Sequence, residues 1–271
     1  MSDYQHRFAS IARLYGRDGV AIVRHMHVCV IGLGGVGSWA VEALARTGVG
    51  QLTLIDYDEV SLSNVNRQLH ALSDTVGEKK WAVMEKRVHG INPDCRVTVI
   101  DDFVNLTNLE DYLAPERGYD YIVDAMDSIK FKSGLINHCK RRKIPIVTTG
   151  GAGGVTDPTK ITIADLSRTH HDPLAARVRA RLRERYGFTQ NPKRSFGVEC
   201  VFSTQQKLYP KPDGSVSCEK PGIHGVTLDC QFGYGSVTYV TAVFGMMAAS
   251  RAVNKTVAKR LKAAPDANHG D

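Results

Sequence analysis

In the first half of the chain, short runs of β-branched and apolar residues alternate with longer stretches of helical periodicity. Helical spacing of apolar residues predicts helices over 36–47, 77–91 and 130–142. Buried strands are predicted at His27–Ile31, Leu52–Asp56, Val97–Asp101, Tyr121–Asp124 and Ile144–Thr148. Strands that alternate with helices form a parallel, doubly wound sheet with helices on both faces, so we predict an α/β fold.

The pattern changes after Lys160. One further strand in the run KITIADL is followed by a basic helix and then by a loop-rich tract at 187–235, where Gly and Pro mark turns. We therefore predict one core over 1–165, a loop-rich, helix-containing C-terminal elaboration packed on it over 166–262, and a disordered tail at 263–271.

Residues 230–250 carry no charge and are long enough to span a bilayer. Glycines and polar residues interrupt this stretch, so we predict a buried helix of small residues rather than a membrane span. The first ten residues, MSDYQHRFAS, lack the apolar run of a secretory signal. These features together predict a cytoplasmic protein.

Composition narrows the class of protein. The chain has 271 residues, of which 42% are hydrophobic and 23% charged, and this excludes a disordered or collagen-like protein. The six cysteines include no C-x-x-C pair, which argues against a structural zinc site.

The net charge of +7 is concentrated in two segments. Arg168–Arg194 carries +6, Arg251–Lys262 carries +5, and the rest of the chain carries −4. Two basic elements on an otherwise acidic protein indicate a polyanionic partner, nucleic acid first, although solvated helix faces would give the same pattern.

The first basic segment contains a predicted helix that begins with Asp172 as N-cap and Pro173 in the first turn. Leu174, Val178 and Leu182 form an apolar stripe that we expect to face the core. Another face carries Arg177, Arg181 and Arg185, with Arg179 and Arg183 alongside, and all five are candidate phosphate-binding residues.

A glycine-rich loop links the first predicted strand to the helix that follows. The sequence GLGGVG satisfies G-x-G-x-x-G in a strand–turn–helix context typical of Rossmann-like folds, and Asp56 ends the next strand. Glycines let the backbone approach a phosphate, the helix N-terminus supplies N–H donors, and the carboxylate accepts ribose hydroxyls. The pattern predicts nucleotide binding, but both a nicotinamide dinucleotide and ATP would satisfy it.

The residues that follow favour ATP. Arg67 and Lys80 lie in the runs SNVNRQ and GEKK, and cations are needed where ATP is cleaved to pyrophosphate. Asp127 follows the fourth strand, at the sheet edge where ligands bind, and could hold Mg²⁺. Taken singly, Arg67 and Lys80 could equally be ordinary surface cations.

These motifs resemble the ThiF/MoeB/ubiquitin-activating superfamily of adenylating enzymes. GLGGVG, LIDYDEVSLSNVNRQ, TVGEKKWAVMEKRVHGINP and YIVDAMDS carry this likeness over about 1–165. The later runs VTTGGAGGVTDPTKI, DLSRTHHDPLAARVRARLRERYG, VECVFSTQ and LDCQFGYGS resemble its tRNA threonylcarbamoyladenosine dehydratase branch.

The resemblance implies a role for each matching residue. Arg67, Lys80 and Asp127 would be catalytic, Asp127 would bind Mg²⁺, and the arginine-rich helix would contact tRNA. The residues that would bind ATP are Gly32, Gly34, Gly35, Gly37, Asp56, Asp58, Asn64, Arg67, Gln68, Lys80 and Asp127. The likeness also implies a homodimer, and it is compatible with a monovalent cation and with a sulfur-relay acceptor protein as partner.

The implied reaction is an ATP-dependent loss of water from threonylcarbamoyladenosine next to the tRNA anticodon. The side-chain carboxylate becomes an acyl-adenylate, and the carbamoyl nitrogen or oxygen then displaces AMP. A thioester on Cys200 or Cys230 is conceivable, but free cysteines mostly serve packing.

Three alternatives stay open from the sequence. The chain could adenylate the C-terminus of a ubiquitin-like or sulfur-carrier protein, although the two zinc-binding C-x-x-C pairs of such relatives are absent. It could bind nucleotide or RNA without chemistry, which would leave Arg67, Lys80 and Asp127 unexplained. A nicotinamide dehydrogenase would account for the glycine loop alone.

Overall fold

The computed structural model describes residues 2–219 and 234–263, and it contains a seven-stranded sheet of order β3-β2-β1-β4-β5-β7-β6. The strands are β1 (His27–Ile31), β2 (Gln51–Ile55), β3 (Arg96–Ile100), β4 (Tyr121–Asp124), β5 (Ile146–Thr149), β6 (Ile161–Asp165) and β7 (Glu199–Ser203). Neighbouring strands pair in parallel except β6 and β7, which are antiparallel. The predicted α/β fold with a doubly wound, mainly parallel sheet is therefore confirmed.

Helices cover both faces of this sheet. They are α1 (Asp3–Arg7), α2 (Ala9–Arg24), α3 (Gly37–Thr47), α4 (Lys80–Ile91), α5 (Leu109–Tyr112), α6 (Ile129–Arg142), α7 (Pro173–Tyr186) and α8 (Thr238–Ala263). One core packs α2, α3, α4 and α8 against the sheet, and the second packs α6 and α7 against the opposite face. Two separate apolar layers are what a doubly wound sheet requires, because both of its faces must be buried.

Strand β7 was not predicted, since the sequence pattern indicated loops from 187 to 235. Cys200, Val201 and Phe202 are buried, and the strand is inserted between β5 and β6 inside the sheet. The strand has five residues, ECVFS, of which only the central three are apolar, and so short a run among turn residues cannot show a period of two. A short antiparallel pair, β8 (Tyr209–Pro210) with β9 (Val216–Ser217), occupies the same tract.

Helix α8 is buried along α3. A Cβ atom at Gly245 would lie 2.4 Å from the Val36 carbonyl oxygen, so only glycine allows this close approach. The predicted buried helix of small residues at 230–250 is thus confirmed for 238–250, while 230–233 lie outside the described residues. Within the described part of the chain, none of the helices combines the length and the apolar character that crossing a bilayer requires.

An ion-pair cluster ties α8 to the first residue of β7. The Arg251 guanidinium pairs with the Glu199 carboxylate through two hydrogen bonds, and Lys255 Nζ lies 3.6 Å from Glu199 Oε1. The hydrogen bonds from Arg251 are the main cause that lowers the pKa of Glu199. The C-terminal helix is therefore linked electrostatically to the inserted strand.

Candidate functional site

The glycine loop follows β1 and leads into α3. Gly32 has φ +87°, and a Cβ atom at Gly37 would lie 1.7 Å from the Gly32 carbonyl oxygen. The N-cap residue Val36 makes no side-chain capping bond, which leaves the N-terminus of α3 open to an anion. The loop therefore has the tight backbone turn and the uncapped helix start that phosphate binding requires.

Asp56 fastens this loop to the end of β2. Its Oδ2 accepts a 2.5 Å hydrogen bond from the Leu33 N–H, and its Oδ1 accepts one of 2.8 Å from the Asp58 N–H. Burial raises the pKa of Asp56, and the two backbone donors oppose the shift. Each carboxylate oxygen can accept a second bond, so the predicted contact with ribose hydroxyls is sterically and chemically available.

The segment that carries Arg67 is held between α3 and α8. Trp39 Nε1 and Thr241 Oγ1 each donate to the Arg67 carbonyl oxygen at 3.2 Å. The guanidinium donates to the Ser63 carbonyl at 2.7 Å and has no carboxylate partner among the described residues. Arg67 is thus a fixed cation whose charge is available to a ligand.

Asn64 and Gln68 flank Arg67 and are both buried. Asn64 Oδ1 accepts a 3.0 Å hydrogen bond from the Ser61 N–H and so closes the turn. Gln68 Nε2 lies 3.9 Å from the position of a Cβ atom on Gly34, and Gln68 Oε1 has no hydrogen-bond partner among the residues that the structure describes. The side chain of Gln68 therefore faces the glycine loop, whereas the oxygen of Asn64 serves the turn itself.

Lys80 begins α4 and is directed at the same edge of the sheet. Its Nζ donates to Asp58 Oδ2 at 2.7 Å, and its side chain is 7% exposed. Asp127, directly after β4, is exposed and has no hydrogen-bond or ion-pair partner among the described residues. The charge of Asp58 is the main cause that raises the pKa of Tyr57, and burial, Asp56 and Asp127 act in the same direction.

A buried ion pair that the sequence did not predict supports the Asp127 loop. Lys132 Nζ lies 3.0 Å from Asp124 Oδ2 and donates to the Met126 carbonyl at 2.8 Å. Thr148 Oγ1 donates to the same Asp124 oxygen at 2.6 Å. The sequence contained one indication of this pair: Lys132 lies on the inward face of the predicted helix 130–142, and a buried charge needs a partner.

Among the carboxylates at this edge, Asp56 and Asp58 are already hydrogen-bonded, whereas Asp127 has no partner in the described part of the chain. Among residues 2–219 and 234–263, no group of three or more His, Cys, Asp or Glu side chains is arranged to hold a metal ion. Mg²⁺ is usually bound by one or two carboxylates together with substrate phosphates. The free carboxylate of Asp127 fits that requirement.

Cys200 and Cys230 are the two candidate nucleophiles of the sequence. Cys200 is fully buried in β7, and burial raises the pKa of its thiol. A buried neutral thiol cannot act as a nucleophile at neutral pH without a conformational change. Cys230 lies outside the described residues.

Some arginines of the row on α7 are exposed to solvent, and others contact neighbouring residues of the protein. Arg177 and Arg185 are exposed, whereas Arg179 donates to Thr169 Oγ1 and the Arg183 guanidinium lies 5.4 Å from the centre of the Phe196 ring. Arg181 is half-buried. Contact with RNA therefore remains a prediction, and the exposed pair is best placed to make it.

Comparisons with known proteins identify the family of this chain. The model of the ThiF family matches residues 6–268. A tRNA threonylcarbamoyladenosine dehydratase of Haemophilus influenzae is 51% identical over 96% of this chain and 97% of its own length. The Escherichia coli protein of the same name is also 51% identical, over 94% of this chain and 95% of its own. A crystal structure of that E. coli enzyme in complex with ATP superposes with a TM-score of 0.85, at 48% identity, over 96% of this chain and 98% of the other.

Proposed function

The chain belongs to the ThiF family, and on that premise we propose that it is an ATP-dependent tRNA threonylcarbamoyladenosine dehydratase. One observation carries the proposal. The glycine loop, Asp56, the unpaired Arg67 cation, Lys80 and Asp127 converge on the carboxyl edge of the sheet. A nicotinamide site has little use for two cations and a free carboxylate there, whereas an adenylating site needs all three.

The first step activates the substrate. A carboxylate oxygen of the threonyl side chain attacks the α-phosphorus of ATP, the bond to the β-phosphate oxygen breaks, and pyrophosphate leaves. Negative charge develops on the phosphoryl oxygens and on the leaving group. Arg67 and Lys80 are placed to neutralise that charge, and fixed cations that need no reorganisation are the most effective stabilisers.

The second step closes the ring. The carbamoyl nitrogen or oxygen attacks the activated carbonyl carbon, the bond to the AMP oxygen breaks, and the carbamoyl group loses a proton. The oxygen lost by the substrate leaves with AMP, so the nucleoside has lost one water. The chain's task in this step is to hold the carbamoyl group beside the acyl carbon and to exclude bulk water.

We extend the proposal to the cofactors and to the setting of the enzyme. Asp127 would share Mg²⁺ with the phosphates of ATP, which would offset their charge. Residues 1–165 would supply the adenylating core, and 166–262 would form an elaboration packed on it whose arginine-rich helix contacts the tRNA; of the predicted tail at 263–271, residues 264–271 lie outside the described residues. On family resemblance, the enzyme would be a ligase-type homodimer in the cytoplasm, with a possible monovalent cation and a sulfur-relay acceptor protein as partner.

The test is an assay on defined substrates. Purified protein is incubated with ATP, Mg²⁺ and tRNA that carries threonylcarbamoyladenosine. The tRNA is then digested, and the masses of its nucleosides are measured by mass spectrometry. We expect a product that has lost one water, formed only with ATP and lost in Arg67→Ala. Arg141→Ala is the matched control, since this exposed arginine lies at the end of α6, away from the nucleotide site.

Two results would contradict the proposal. An unchanged nucleoside in the presence of cleaved ATP would exclude the dehydration. If ATP were instead consumed only when a carrier protein ending in Gly-Gly is added, the activity would be C-terminal adenylation.

A further inference from the structure

A polar cavity of about 270 Å³, separate from the nucleotide site, lies between the start of α7 and the loop before β8. Its charged lining residues are Asp172, Arg179 and Lys207, with His171 at the rim. Pockets for drug-sized ligands measure roughly 300–1,000 Å³. The cavity therefore suits a single small polar group rather than a whole nucleotide.

Lys207 is one of two charged residues in this cavity that are almost completely buried. Its side chain donates to the carbonyl oxygens of Gly151 and, at 3.0 Å, of Gly153, and the residue is 3% exposed. It has no carboxylate within ion-pair distance among the described residues. Two of its three N–H bonds are accounted for, so one donor is left for a ligand.

Asp172 is also 3% exposed, and each of its carboxylate oxygens accepts one backbone hydrogen bond. Its Oδ1 accepts from the Ala175 N–H at 2.9 Å, and its Oδ2 accepts from the Gly151 N–H at 3.0 Å. A Cβ atom at Gly150 would lie 2.0 Å from Asp172 Oδ2, so glycine is required at that position. Asp172 thus fixes the loop that holds Lys207.

Arg179 brings a second cation to the cavity. Burial lowers its pKa, Arg183 acts in the same direction, and Asp172 opposes them. No carboxylate lies within ion-pair distance of it among the described residues. Two cations face one carboxylate whose oxygens already accept backbone N–H bonds, so the cavity offers an excess of donors and favours a ligand rich in acceptor oxygens.

The position of the cavity relates it to the nucleotide site. Gly150 and Gly151 follow β5, the neighbour of β4, and Asp127 follows β4. Adjacent strands lie about 4.8 Å apart. Asp56 marks the ribose side at β2, so the cavity lies on the opposite side of Asp127, where the second substrate must approach.

We propose that this cavity binds the threonylcarbamoyl group of the substrate adenosine, with Lys207 and Arg179 as specificity-determining residues that donate to its ureido and hydroxyl oxygens. The assignment rests on the proposed function. Asp172 is a positioning residue, because it caps α7 and holds the loop of Gly151. An RNA strand that follows the exposed arginines of α7 would present a modified base to the cavity at the N-terminal end of that helix.

The test measures preference rather than turnover. Binding of tRNA with and without the threonylcarbamoyl group is compared for the wild type, Lys207→Met and Arg179→Gln, together with the affinity for ATP. Because each variant lacks one charge-assisted hydrogen bond, its preference for modified over unmodified tRNA should fall about tenfold. ATP affinity should be unchanged. Lys211→Met, an exposed lysine on the adjacent hairpin, is the control and should keep the preference.

The outcomes separate this inference from the proposed function. Variants that keep the wild-type preference and the wild-type KM for modified tRNA would overturn the cavity assignment, as would a wild type without preference. If Lys207→Met does not fold, Arg179→Gln decides, since its half-buried side chain is easier to replace. A wild type that prefers modified tRNA but does not dehydrate it would contradict the proposed function, and loss of that preference in the two variants would still support the cavity assignment.

Discussion

Lys80 Nζ donates a 2.7 Å hydrogen bond to Asp58 Oδ2 at the carboxyl edge of the sheet, where the glycine loop and Asp56 also lie. The lysine side chain is 7% exposed, whereas the aspartate side chain is 46% exposed. A carboxylate with that much solvent access stabilises the lysine position without consuming its charge. When a phosphate arrives, the ammonium can interact with both groups.

Replacing Lys80 should therefore impair catalysis far more than replacing its neighbour. Lys80→Met is expected to lower kcat for ATP-dependent dehydration by about 10²–10³-fold, because a preorganised cation is lost. Lys79 donates to the Tyr57 carbonyl at 2.8 Å and lies 3.4 Å from Asp101, so Lys79→Met should leave kcat unchanged. Steady-state kinetics on the two variants check this, and equal losses would contradict a specific role for Lys80.

Two glycine-to-alanine substitutions should affect different properties: one should abolish ATP binding, and the other should stabilise the fold. Gly37→Ala places a Cβ atom 1.7 Å from the Gly32 carbonyl oxygen, so the loop must deform and ATP affinity should be lost. Gly90 lies on the exposed side of α4, with nothing within 4 Å of its Cβ position. Gly90→Ala should raise the free energy of unfolding by about 0.5–1 kcal/mol, as expected for alanine in a helix. ATP titration and urea unfolding measure the two effects, and a Gly37→Ala variant with wild-type affinity would exclude the loop as the phosphate site.

The ion pair between Arg251 and Glu199 predicts a pH dependence of stability. Because the folded-state pKa of Glu199 is lowered from its ordinary 4.5, the carboxylate stabilises the fold above that pH. The contribution is lost as the pH falls through the folded-state pKa. Glu199→Gln should thus melt at a lower temperature than the wild type at pH 7, and the difference should shrink below pH 4.5. A difference that stays constant across this range would mean that the carboxylate charge contributes nothing.

The exposed arginines of α7 should be visible in the salt dependence of tRNA binding. Removing one phosphate contact reduces the slope of log affinity against log salt by about 1. Arg177→Ala and Arg185→Ala are each expected to lower this slope and to weaken binding of modified and unmodified tRNA alike. Slopes that match those of the wild type and of Arg141→Ala would place the RNA elsewhere.

The parts of the site that sequence reasoning could predict are local in the chain. The glycine loop is a six-residue motif, and Arg67 and Lys80 lie in short runs after a predicted strand. Asp172 was predicted as a helix cap from its neighbour Pro173, and the structure confirms the cap. Its second partner, the Gly151 N–H, is 21 residues away, and no local pattern signals such a contact.

Longer-range features escaped prediction for the same reason. Lys207 reaches the Gly151 carbonyl oxygen across 56 residues, and its burial depends on packing that only the folded chain creates. Strand β7 is recognisable only from its position between β5 and β6. The two carboxylates of the DAMDS run differ likewise, because Asp124 is neutralised by Lys132 inside the core while Asp127 faces solvent.

Strand β1 pairs with β4 although the two strands are far apart in sequence: Val28 pairs with Tyr121, and the hydrogen bond from the His27 N–H to the Asp120 carboxylate joins residues 93 positions apart. The proposed nucleotide site lies at the ends of these two strands, so it forms only when the distant segments have paired, and such non-local contacts tend to form slowly. ATP should therefore bind only the folded protein. It should raise the apparent stability by mass action and leave the rate of the early folding steps unchanged.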